Sequence, residues 1–134
     1  MTASEDIGKL VLRVTLAILI LLHGIAKLQH GIDFISGMVT NAGMPAIFAY
    51  GVYIGEVLAP ILVLVGLFTR PAAWIIVINM IVAIVLVHMA ELFTLSDTGG
   101  WSLELQGMFL FGAVAVALLG PGRYSVDAKA RRKK

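Results

Sequence analysis

Four stretches of this chain stay apolar for about twenty residues each, the length a helix needs to cross a hydrocarbon core roughly 30 Å thick. They cover residues 7–28, 47–68, 71–93 and 101–119. The composition agrees. Of 134 residues, 60% are hydrophobic and 13% charged. Counting glycine as apolar raises the first share to about 70%, against roughly 45–50% in soluble domains. A soluble globule of this size has too much surface for its volume to hide such a load. A soluble enzyme domain, a disordered chain and an ordinary DNA-binding domain are therefore excluded. The expected fold is all-α, a polytopic membrane protein: one four-helix transmembrane bundle with up-down-up-down topology over residues 1–134.

The punctuation fits this division. Thr69-Arg70-Pro71 reads as a tight turn, with Pro71 early in the third helix where its missing N–H costs nothing. Ser96-Asp97-Thr98-Gly99-Gly100 is a polar turn, and Gly120-Pro121-Gly122 ends the fourth helix. The connection over residues 30–44 contains Ile32, Phe34, Ile35, Met38 and Val39, which suits a short interfacial helix. Residues 7–28 read as a retained span: His23, Lys27 and Gln29 stand where a signal peptidase would need small residues. Trp74 and Trp101 suit interface anchors. Gly51-x-x-x-Gly55-x-x-x-Ala59 lets helices approach closely, within the bundle or between subunits, and a homo-oligomer is expected.

With four spans, both termini share one side. That side receives Lys9, Arg13, Arg70, Arg123, Lys129, Arg131, Arg132, Lys133 and Lys134, and the other receives only Lys27. By the positive-inside rule both termini are cytoplasmic. The basic tail, residues 123–134, reads as a topology anchor on anionic lipid rather than a nucleic-acid site.

An ionisable group inside a span needs a partner or a purpose. At 1.5 Å per residue, Glu56 lies about 14 Å below the outer boundary and near the midplane. His23 and His88 lie about 8–9 Å down, and Lys27, Glu91 and Glu104 within about a turn of the surface. The expected ligand-binding cluster is His23, Lys27, Glu56, His88 and Glu104, with Glu56 and His88 as candidates for proton handling. Arg13, Arg70 and Asn79 are read as structural polar groups: Arg13 as a topology anchor on a helix-end carbonyl, and Asn79 turned away from His88 toward Arg13 or another subunit.

Three chemistries suit such a cluster. A quinone needs hydrogen bonds at two oxygens, protons for its reduction, and an apolar pocket for its tail; histidine and a desolvated carboxylate supply the protons near neutral pH. His23 and His88, on alternate helices at one depth, also suit a bis-histidine haem or a metal, although their spacing matches no metal motif. The third is non-catalytic: a membrane subunit docking soluble proteins, or a small-solute conduit. Cysteine is absent, which removes disulfides, zinc–thiolate sites and any thiol relay within the chain.

The order and spacing of several short motifs resemble the DoxX family of small bacterial membrane proteins. They are Arg13, His23-Gly24-x-x-Lys27, Gly43-Met44-Pro45, Gly55-Glu56, Gly66-Leu67-Phe68-Thr69-Arg70-Pro71-Ala72-Ala73 and Leu119-Gly120-Pro121-Gly122-Arg123-Tyr124-Ser125-Val126-Asp127. The resemblance implies four helices in the bacterial cytoplasmic (inner) membrane. It also implies a link to quinol oxidation, thiosulfate:quinone oxidoreduction or thiol and oxidative-stress defence, in company with soluble redox enzymes. The wider architecture resembles vitamin K epoxide reductase-like bundles, whose cysteine mechanism cannot operate here. The expectation is thus a quinone-interacting membrane component that depends on a redox partner, with a docking subunit as the alternative.

Overall fold

The computed structural model describes residues 2–132, so Lys133 and Lys134 of the basic tail lie outside the described residues. Helix α1 spans Ala3–His30. The Thr2 hydroxyl caps it by accepting the Glu5 N–H at 3.2 Å, and acidic Glu5 and Asp6 complement its N-terminal dipole. Gly31, at φ 83°, ends it in a conformation that side chains disfavour. Helix α2, Asp33–Asn41, is the short helix expected in the first connection. Helix α3 runs over Ala46–Val65 and α4 over Thr69–Glu91. Helix α5 spans Glu104–Leu119 and α6 Val126–Arg132.

Among the described residues, α1, α3 and α4 are long and apolar enough to cross a bilayer, and α5 is a shorter apolar helix of 16 residues. Helix α3 stops three residues before the expected end. Gly66 turns left-handed at φ 76°, and the Gly66 and Leu67 N–H groups close back on the Leu62 carbonyl. Helix α5 starts three residues later than expected. Trp101 instead swings back to donate its indole N–H to the Leu92 carbonyl at 2.8 Å.

The four long helices share one core. Leu16, Ala17 and Ile20 of α1 meet Ala59 and Val63 of α3, Ala72, Ala73 and Ile76 of α4, and Phe109, Ala113 and Val116 of α5. Alanines at the crossings let backbones approach, which is how helices gain packing energy in lipid, where no hydrophobic force drives them together. The outward faces carry Leu22, Ile81 and Phe111 in the open, a surface suited to acyl chains and not to water.

Helix α3 begins and α4 ends in tighter 3-10 winding, at Ala46–Tyr50 and Met89–Glu91, and each helix also holds a turn wider than α-helical, at Ile54–Leu58 in α3 and Ile84–His88 in α4. Each wide turn takes in one extra residue. Helix α2 lies across the ends of these two helices. Its Val39, with Ile32 just ahead of it, is buried with Ala49, and Ile35, Val52, Tyr53 and Leu86 pack around them.

Candidate functional site

A polar knot sits where α1, α3 and α4 converge. Glu56 is 3% exposed. Its Oε1 accepts a charge-assisted bond from Lys27 Nζ at 2.5 Å, and its Oε2 accepts from the Asn79 amide at 3.2 Å. The Tyr53 hydroxyl donates to the Lys27 carbonyl at 3.3 Å and ties α3 to the end of α1.

Glycines bring the backbones this close. A Cβ at Gly24 would run into the Glu56 carbonyl, so α1 and α3 touch only because residue 24 has no side chain. A Cβ at Gly55 would stand 2.5 Å from the Asn79 side chain, which fixes the α3–α4 contact in the same way. The small-residue stripe on α3 thus serves contacts within this bundle at Gly55 and Ala59, which is fully buried.

The knot opens onto a cleft of about 700 Å³ between α2, α3, α4 and the end of α1. Among the described residues its polar and charged lining side chains are Lys27, Glu56, Asn79 and His88. The rest is apolar, including Ile35, Met38, Val52, Ile78, Val82 and Leu86. His88 lies about 13 Å along α4 from Asn79. Its buried Nδ1 stands 3.5 Å from Glu91 Oε1, and the contact does not form a hydrogen bond.

Of the five residues expected to form the cluster, the structure brings Lys27, Glu56 and His88 to the cleft. His23 and Glu104 do not line it. His23 is one residue from Gly24, which faces α3. A rotation of about 100° turns His23 to α5, where its ring meets Phe109 edge-on at a centroid distance of 5.6 Å. Glu104 is exposed in the first turn of α5 and folds beside Gly100. His23 and His88, the two metal candidates, thus stand against different neighbours. Among the described residues no group of three or more His, Cys, Asp or Glu side chains is arranged to hold a metal ion.

Asn79 corrects the sequence expectation that set it apart. Nine residues of regular α-helix would put it half a turn from His88. The wide turn at Ile84–His88 removes roughly 100° of that rotation, so both side chains face the cleft. A signal for the Glu56 contact was present: residues 56 and 79 stand at nearly the same distance from the turn between α3 and α4, so an antiparallel pair sets them at about one level.

The other structural polar groups gather at the opposite end. Arg13, 2% exposed, donates Nη1 to the Val63 and Leu64 carbonyls at 2.7 Å each and Nη2 to the Tyr124 carbonyl. Arg70 donates to the Ala117 and Leu118 carbonyls at the end of α5. Asp127 of α6 caps α4, accepting from the Phe68 and Thr69 N–H groups and the Thr69 hydroxyl. Burial pushes the Asp127 carboxyl up, but these hydrogen bonds and the charge of Arg131 outweigh burial and hold it below the usual carboxylate range.

Arg13, Gly24-x-x-Lys27, Gly55-Glu56 and the Gly66–Pro71 segment, a turn at 66–68 followed by the first residues of α4, are thus the residues that hold the bundle together. The DoxX family profile matches residues 8–89, which include all of them. The chain belongs to the DoxX family. This DoxX protein is 28% identical over 127 residues to a Bacillus subtilis protein named "Putative oxidoreductase CatD", covering 95% of the present chain and 90% of the relative. It is 33% identical over 115 residues to an uncharacterized Haemophilus influenzae protein, covering 80% and 84%. It is 29% identical over 131 residues to an uncharacterized membrane protein of Mycobacterium tuberculosis, covering 91% and 80%. No solved structure matches it.

Proposed function

We propose that this DoxX protein binds a lipid-soluble quinone in the cleft and acts as the membrane component of a redox system. One observation carries the reading: a cleft of about 700 Å³ with an almost wholly apolar wall and hydrogen-bond donors at its edge, Lys27 and Asn79. Ligand sites are commonly apolar clefts of this size with a few placed polar groups. The headgroup accepts hydrogen bonds from Lys27 and Asn79, and the isoprenoid tail follows the apolar wall into lipid. Reduction of a quinone to its quinol takes two electrons and two protons. The Lys27–Glu56 pair and His88 hold exchangeable protons beside the cleft. The chain has no thiol, and the electrons come from a soluble oxidoreductase docked on it. The name of the Bacillus relative is in keeping with such chemistry.

The lysine and arginine distribution supports placement in the bacterial inner membrane with both termini in the cytoplasm. The cleft then opens toward the outer leaflet.

The protein purified in mild detergent and extracted with organic solvent is expected to yield quinone near one equivalent. Glu56→Gln and Asn79→Leu should lower the yield, and Glu104→Gln should not. Quinone at the level of carried-over lipid in all four proteins would overturn the reading. A soluble oxidoreductase retained without quinone would favour a docking role instead.

A further inference from the structure

At the end of the bundle away from the cleft lies a second recess, of about 430 Å³, between the start of α1, the start of α4, the end of α5 and α6. Its walls carry four cationic side chains, Lys9, Arg70, Arg123 and Arg131, and one carboxylate, Asp6. Asp6 Oδ1 accepts the Arg123 backbone N–H at 3.3 Å, and the four cations outnumber this one carboxylate. Arg70 is held by the Ala117 and Leu118 carbonyls through Nη1, which sets its Nη2 edge toward Gly120. Arg131 also attracts Asp127, whose oxygens are committed to capping α4.

The backbone keeps the recess open. Gly120 and Gly122 have φ values of 83° and 78°. A Cβ at Gly120 would stand 2.8 Å from Arg70 Nη2, and one at Gly122 would stand 3.1 Å from Lys9 Cβ. Leu119 ends an apolar helix here, so the recess lies at the level where hydrocarbon gives way to headgroups. Guanidinium groups offer a planar fork that fits phosphate oxygens, and an ammonium adds a compact charge. Cationic recesses between helix ends are suited to anionic headgroups.

We propose that this recess binds the phosphate group of an anionic phospholipid and clamps α1, α5 and α6 together at the headgroup level. The assignment is independent of the quinone reading.

The test is thermal unfolding of the full chain in non-ionic detergent, titrated with phosphatidylglycerol, phosphatidylcholine or inorganic phosphate. Phosphatidylglycerol is expected to raise Tm saturably and phosphatidylcholine to leave it unchanged. Arg131→Gln and Lys9→Gln should each raise the half-saturating lipid concentration about five-fold. Lys129→Gln makes the same charge change on α6 at an exposed position outside the recess, and should leave it unchanged. Equal weakening by Lys129→Gln and Arg131→Gln would show diffuse surface attraction and overturn the site. Equal stabilisation by both lipids would also overturn it. Saturable stabilisation by inorganic phosphate with none from phosphatidylglycerol would overturn the lipid assignment.

Discussion

The Lys27–Glu56 pair gives an asymmetric prediction. Removing one partner of a buried pair costs about 3–5 kcal/mol, whereas an exposed pair contributes under about 1 kcal/mol. This pair lies between the limits, with side chains 30% and 5% exposed for Lys27 and Glu56. Lys27→Met leaves the buried carboxylate with the Asn79 amide and no cation, and should cost about 2–3 kcal/mol. Glu56→Gln is milder, about 1 kcal/mol. The new amide still accepts from Asn79, and the freed ammonium can carry its charge up to the headgroups on a four-carbon stem. The double variant should be more stable than Lys27→Met alone, with a coupling of about 2 kcal/mol. Reversible unfolding in mixed micelles, followed through the fluorescence of Trp74 and Trp101, measures all four proteins. Additive costs, with a coupling under about 0.5 kcal/mol, would refute the claim that this contact holds α1 to α3.

Three further outcomes follow from the same geometry. Gly24→Ala should destabilise by about 1–3 kcal/mol, because its Cβ meets the Glu56 carbonyl and forces α1 off α3; the same unfolding assay reads it. Arg13→Lys should cost about 2–3 kcal/mol, since an ammonium cannot reproduce the planar fork reaching the carbonyls of Val63, Leu64 and Tyr124. Asp127→Asn should cost about 1–2 kcal/mol at neutral pH. Because the folded carboxyl sits below its unfolded value of about 3.9, the stability contributed by the charge is fully present above that pH. It is lost as pH falls through the folded value, so the difference between wild type and Asp127→Asn should shrink on acidification below about pH 4.

Much of the architecture was legible because it follows from length and hydropathy alone. The spans followed from residue counts, and a short helix within residues 30–44 from its apolar residues. The turn expected at Thr69-Arg70-Pro71 is instead made by Gly66, Leu67 and Phe68, and residues 69–71 open α4, because the left-handed Gly66 ends α3 early and Asp127 caps the Phe68 and Thr69 N–H groups. The shifted ends of α3 and α5 were not legible, since they depend on a left-handed Gly66 and on a Trp101 indole that finds a carbonyl across a loop. Within the site, Glu56 stood out because a carboxylate that deep needs a partner. Its partners were harder to read. Lys27 looked like an interfacial charge, yet it reaches inward because Gly24 brings its helix against α3. Asn79 looked misdirected, and a wide turn later in its own helix aligns it with His88.

Level along the bundle is what the sequence set by itself. Rise per residue is nearly constant, so counting from the turn puts Glu56 and Asn79 at about one level on neighbouring helices, where they meet. Azimuth was decided only in the folded bundle. One wide turn rotates everything beyond it by about 100°, and the two turns that do so here, at Ile54–Leu58 and Ile84–His88, leave no mark in hydropathy. The packing of glycine against backbone and amide then selects which side chains meet, because in lipid only close contact and paired hydrogen bonds distinguish one helix face from another.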